Sequence, residues 1–155
     1  MSKTRNIEQI YVHCSDSPDT MDVGFTEIND WHAEKGWKSP SGISCGYHYI
    51  IRRDGVVERG RPDQEPGTHV KGHNKRSIGI CWIGKEKPSM MQYHSLLSII
   101  RGLMHQYNVT MENVLGHCEV NFNKTCPNIS MLNIRGNLLF TKIQDVEKGY
   151  RELIG

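Results

Sequence analysis

The stretch that most narrows what this chain can fold into is Ser77–Ile83, S-I-G-I-C-W-I. A near-continuous apolar run of this kind reads as a strand buried on both faces, and such a strand belongs in the middle of a sheet with other layers packed over it. Pro88-Ser89 then opens a helix in which Leu96, Leu97, Ile100, Leu103, Met104 and Tyr107 recur at helical spacing. A buried strand followed by an amphipathic helix points to a layered α/β architecture rather than a bundle or a sandwich.

The other segments fit that frame. Ile7–Cys14 is rich in β-branched and aromatic residues and reads as a strand. Thr26 can cap a helix through Ile28, Trp31 and His32 to Lys35, with Gly36 as its stop. Tyr47–Arg53 reads as a second strand, and Asp54-Gly55 signals a hairpin into Val56-Val57-Glu58. Gly60–Arg76 has no periodicity and holds Pro62, Pro66, Gly67 and Gly72, so it is a long loop, and long loops tend to carry function. Val114–His117 is short and extended, and Asn133 can cap a last helix through Leu138, Leu139, Ile143 and Val146. We expect one domain spanning residues 1–155, a mixed central sheet with helices on its faces.

The five cysteines are odd in number and irregularly spaced, with no C-x-x-C, which argues for reduced thiols rather than a disulfide framework. The first residues, M-S-K-T-R-N-I-E-Q, hold no apolar run of signal-peptide length, and no stretch approaches a membrane span. The expectation is a soluble protein made in a cytoplasm, with no membrane partner. A net charge of +2 demands neither nucleic acid nor anionic lipid. The basic residues from Arg52 to Arg76 read either as a solvated face or as a groove for an anionic polymer.

Chemistry concentrates near the end of the chain. The segment H-C-E-V-N-F-N-K-T-C-P runs from His117 past Lys124 to Cys126-Pro127, and the first strand offers His13. Two imidazoles and one thiolate form a three-ligand zinc set that leaves a fourth tetrahedral position for water, the mark of a catalytic site rather than a structural one. Side chains alternate along a strand, so His13 shares a face with Tyr11 while Cys14 points the other way, and Tyr47 groups with Tyr49 and Ile51 while His48 opposes them. If His13 and Tyr47 face a site, Cys14 and His48 face the core; the same parity would separate His117 from Cys118 in an extended segment. Taken singly, His13 also reads as an ordinary histidine and Cys126 as a small buried hydrophobe. Trp31, Trp37 and Trp82 read as core or as the floor of a groove, and His32, His94 and His105 as ordinary helix residues.

Six ordered segments carry a resemblance: V-H-C-S (12–15), W-H-A-E-K-G-W (31–37), G-Y-H-Y-I-I-R-R-D-G-V-V-E-R-G-R (46–61), G-T-H-V-K-G-H-N-K-R-S-I-G-I (67–80), L-G-H-C-E-V (115–120) and K-T-C-P (124–127). From Ile7 to about Pro127 the chain resembles the zinc amidases of the phage-lysozyme type found in T-odd coliphages, which are related to the peptidoglycan recognition proteins. The resemblance implies one zinc ion held by His13, His117 and Cys126, and catalytic roles for Tyr47 and Lys124. It implies peptidoglycan as substrate, cut at the amide between N-acetylmuramic acid and the first L-alanine of the peptide stem. It also implies an endolysin that accumulates in the host cytoplasm and reaches the wall once the membrane is breached.

The chemistry stands beside the resemblance. Zinc lowers the pKa of bound water to about 7, a lysine tethered two residues from a ligand can face the developing oxyanion, and a tyrosine hydroxyl can orient the water or move its proton. His69, with Lys71 and Asn74 nearby, is a candidate contact for glycan or stem peptide, or a loop residue making a structural hydrogen bond. Two other readings stand next to catalysis. Some members of the family also bind and inhibit their phage RNA polymerase through residues ahead of the first ligand, and here only twelve precede His13, a short lead for that role. Others hold peptidoglycan without cutting it, but in those the cysteine ligand is typically replaced, and Cys126 is present. We expect a monomer with no nucleic acid partner.

Overall fold

In the computed structural model, which describes residues 5–140 and 142–155, the apolar run forms β4 (Ser77–Trp82), and all six of its residues are buried. It lies in the middle of a five-stranded sheet of order β3-β2-β4-β1-β5. The partners are β1 (Gln9–Cys14), β2 (Tyr49–Ile51), β3 (Val57–Arg59) and β5 (Val114–Gly116). β1 pairs in parallel with both β4 and β5, and β2 pairs in parallel with β4. Only the hairpin partner β3 runs antiparallel. Gly55, at a φ of +88°, makes the turn that Asp54-Gly55 predicts.

Two apolar layers sandwich the sheet. On one face Ile10, Val12, Ile51, Ile78, Ile80 and Trp82 meet the buried side of α2 (Met90–Tyr107), backed by α3 (Met131–Asn137) and α4 (Ile143–Ile154). On the other, Ile50, Cys81 and Ile83 meet Ile28 of α1 (Phe25–Glu34) and Val23. α2 starts with a reciprocal cap: Ser89 Oγ accepts from Gln92 N, and Gln92 Oε1 accepts from Ser89 N. The Gln92 amide then donates to Ile51 O and Ile83 O, which locks the helix to the ends of β2 and β4. No helix among the described residues is long and apolar enough to cross a membrane.

Four local expectations are corrected. α1 is capped at Gly24 rather than Thr26: the Glu27 carboxylate accepts from Gly24 N and Glu58 from Phe25 N, so two first-turn amides are already satisfied. The single last helix is two helices, and it starts at the Ser130 cap rather than at Asn133. Arg101 from α2 donates to the carbonyls of Asn137, Leu138 and Phe140, oxygens that a continuing helix would need for its own amides. β2 is three residues long, not seven. Finally, His117–Glu119 forms a 3-10 turn, so strand parity does not extend to His117 and Cys118.

Candidate metal centre and active site

His13 is the fifth residue of β1 and 1 % exposed. Its neighbours Val12 and Cys14 point into the α2 layer, and its register partner is Cys81, so the imidazole emerges on the α1 face. β5 lies beside β1 with Val12 opposite Gly116, and His117 follows at once. The two imidazoles therefore leave adjacent strand ends, with ring centroids 4.9 Å apart. Cys126 returns from the end of the following loop. Its carbonyl accepts from Cys118 N and its Sγ accepts from Cys14 N, two bonds that pin it over the end of β1. The ligand atoms of His13, His117 and Cys126 all lie within 4.8 Å of one another, and among the described residues this is the one such cluster.

The donor set fits zinc. Burial, and then each other's proximity, holds the His13 imidazole well below the usual histidine range; burial, and then Lys124, lowers His117. Both rings offer a lone pair at neutral pH. The hydrogen bond with Cys14, followed by burial, pushes the Cys126 thiol up, so its proton must leave as metal binds. Tetrahedral zinc with Zn–N near 2.0 Å and Zn–S near 2.3 Å separates the two donors by about 3.5 Å. His13 Nδ1 and Cys126 Sγ stand 3.6 Å apart.

The cluster forms the floor of a cleft of about 480 Å³, walled by Trp31, His32, Trp37, Tyr47 and Lys124. Tyr47 packs its ring on His13 at 5.1 Å, from a bend just before β2. It therefore sits on the α1 side, away from Tyr49 and Ile51, because regular pairing begins only at Tyr49. Burial first, and the surrounding thiols second, push its hydroxyl well above the usual tyrosine range, so it is a protonated donor at neutral pH. Lys124 is exposed on the rim. A larger hollow of about 690 Å³ between Glu8, Gln9 and Gly72–Arg76 contains none of the three donor residues.

For two of the three tryptophans the groove reading holds, and one cleft residue, His32, departs from its expected role. Trp31 and Trp37 line the cleft, while Trp82 is wholly core. His32 is no ordinary helix residue: its Nδ1 accepts from Gly46 N at 2.8 Å, and its ring contacts both Trp37 and Tyr47. The W-H…G-W spacing on a helix and its exit was the available signal, since Trp31 and His32 share the helix end that delivers Trp37.

The loop candidates separate by role. His69 lies under the cleft with Nδ1 2.9 Å from His13 Nε2 and Nε2 3.2 Å from Ser77 Oγ. Asn74 Oδ1 accepts from the amides of both His69 and Val70, which fixes the loop. Lys71 is exposed beside a smaller hollow of about 240 Å³ that shares Trp37, Thr68 and His69 with the main cleft. His48, expected in the apolar core, is buried on the polar side behind His69, where Nδ1 accepts from Gly79 N and Nε2 donates to Glu65 O.

The sequence model of the N-acetylmuramoyl-L-alanine amidase family matches residues 3–129. The chain belongs to that family. The amidase is 40 % identical to the endolysin of Klebsiella phage KP32 over 138 residues, 84 % of this chain and 86 % of that one. Among solved structures it resembles the N-acetylmuramoyl-L-alanine amidase LysC from Clostridium intestinale URNW, with TM-score 0.76 and 31 % identity over 89 % of each chain. Peptidoglycan-recognition protein LB of Drosophila shares the fold, at TM-score 0.72 and 24 % identity over 92 % of the amidase and 88 % of that protein. The matched residues contain every element of the cleft and stop just before α3.

Proposed function

We propose that this amidase is a zinc-dependent endolysin that hydrolyses the bond between N-acetylmuramic acid and the L-alanine of the peptide stem, and so lyses the host from a cytoplasmic pool. The observation that carries this reading is the convergence of His13, His117 and Cys126 donor atoms at the floor of an open cleft. When bound, zinc supplies a Lewis acid for the scissile carbonyl and acidifies water to a useful nucleophile.

The chain's own residues do the rest. His13, His117 and Cys126 hold the ion and leave the cleft side open. The Lys124 ammonium on the rim stabilises negative charge as it develops on the carbonyl oxygen. Tyr47 donates its O–H into the same space and orients the attacking oxygen or the carbonyl. Trp31 and Trp37 give the sugar and stem an apolar wall that excludes water, and Lys71 offers a cation to a stem carboxylate. Asn74 supports the reading indirectly, by holding the loop that carries His69 and Lys71.

Mass spectrometry of peptidoglycan digested by the purified chain tests this. The expected products are stem peptides with a free L-alanine amine; a chelator stops their release and Zn²⁺ restores it. Products cut within the glycan strand, or release that continues after verified loss of zinc, would refute the proposal.

A further inference from the structure

Resting on that metal site, we propose that His69 is a positioning residue: it holds the His13 imidazole in the single tautomer and orientation that present Nδ1 to the metal. His73 O is a carbonyl and only accepts, so the Ser77 hydroxyl that lies 2.8 Å from it must donate. Having spent its proton there, Ser77 Oγ accepts from its other neighbour, His69 Nε2, at 3.2 Å. His69 therefore carries its proton on Nε2 and turns a lone pair on Nδ1 outward. That lone pair faces His13 Nε2 at 2.9 Å, which must be the protonated nitrogen of His13. The remaining lone pair of His13, on Nδ1, points at Cys126 Sγ. The proton order thus runs one way, from a backbone carbonyl to the metal-facing nitrogen.

The surroundings are built for this ring. A Cβ on Gly79 of the central strand would stand 2.8–2.9 Å from three atoms of the His69 ring, and one on Gly67 would meet His69 Cδ2 at 2.5 Å. Two glycines therefore leave the volume that the imidazole fills. Asn74 fixes the His69 backbone from the other side, and the His48 ring stands edge-on behind it at 5.9 Å. Both His69 nitrogens are engaged within the protein, so neither is left to bind substrate. A ligating histidine whose second nitrogen is fixed in this way binds metal more tightly, and loss of such a partner typically weakens binding about 10–100-fold.

The test compares His69→Leu, which keeps bulk and removes the acceptor, with His69→Asn, whose Oδ1 lies near the position of Nδ1. Zinc affinity is measured on the full chain by chelator competition. The expected result is binding about 10–100-fold weaker for His69→Leu and largely recovered in His69→Asn, with peptidoglycan KM unchanged at saturating zinc. Unchanged zinc affinity in His69→Leu, or an effect confined to peptidoglycan KM, overturns the proposal. Long-range ¹H–¹⁵N NMR of the histidine rings, with and without Zn²⁺, gives a readout that does not depend on either variant folding. Wild type should show His13 protonated at Nε2, and a His13 protonated at Nδ1 overturns the idea. If wild type binds no zinc at all, the zinc reading of the site fails, while the ring spectra still decide whether His69 orients His13.

Discussion

Lys124 and His117 both line the cleft, yet they are placed differently. His117 supplies one of three converging donor atoms, whereas Lys124 stands exposed on the rim. His117→Ala is expected to lose both zinc and activity. Lys124→Ala is expected to keep its zinc and lose about 10²–10³ in kcat, the size of one oxyanion donor. Metal analysis beside steady-state kinetics separates the two, and equal zinc loss in both would make Lys124 structural. The three converging donors were legible in the sequence because residue type and spacing carried them: a histidine on a strand, and a histidine and a cysteine in one short segment. The orientation of Tyr47 was not. Parity counts faces only along a regular strand, and the chain bends between Gly46 and Tyr49. Nor did the sequence reveal His32, because a helix histidine declares its purpose only through the Gly46 amide it accepts from.

At the scale of elements, the loop between β3 and β4 behaves as a fitted part rather than a slack connector. Asp63 accepts from Tyr49, Arg59 and Tyr107, which ties the loop to β2, β3 and α2. Asn74 does the same for its far end. Asn74→Asp preserves the acceptor and should retain stability, while Asn74→Ala should cost about 1 kcal/mol, read from urea denaturation. Equal stability of the two variants would mean that Oδ1 does not hold the loop. β4 and α2 were readable from sequence because burial writes itself as continuous apolarity or as helical spacing. The division of the last helix was not, since its cause is Arg101, a residue on another element that reaches across to three carbonyls.

For the molecule as a whole, acid should be destabilising even before the metal site is considered. Burial lowers His32 and His48 to about 4, against about 6.5 in an unfolded chain. Between those values the unfolded chain binds protons that the folded one refuses, so stability is full above about 6.5 and falls as pH drops towards 4. His13 and His69 shift in the same direction. Urea midpoints at pH 7, 6 and 5 should fall in that order, and His32→Asn, which keeps an acceptor for Gly46 N, should flatten part of the slope. A midpoint independent of pH would contradict the burial of these rings. The contact between His13 and Cys126 has a different reach: it joins positions 113 apart in the chain. On the proposed reading, an ion seated between them would be a clasp, closing about three-quarters of the polypeptide into a ring whose ends are the first strand and the last loop of the cleft. Removing zinc from the loaded protein should then open hydrogen exchange at both ends of that ring together, and exchange unchanged at either end would contradict the clasp.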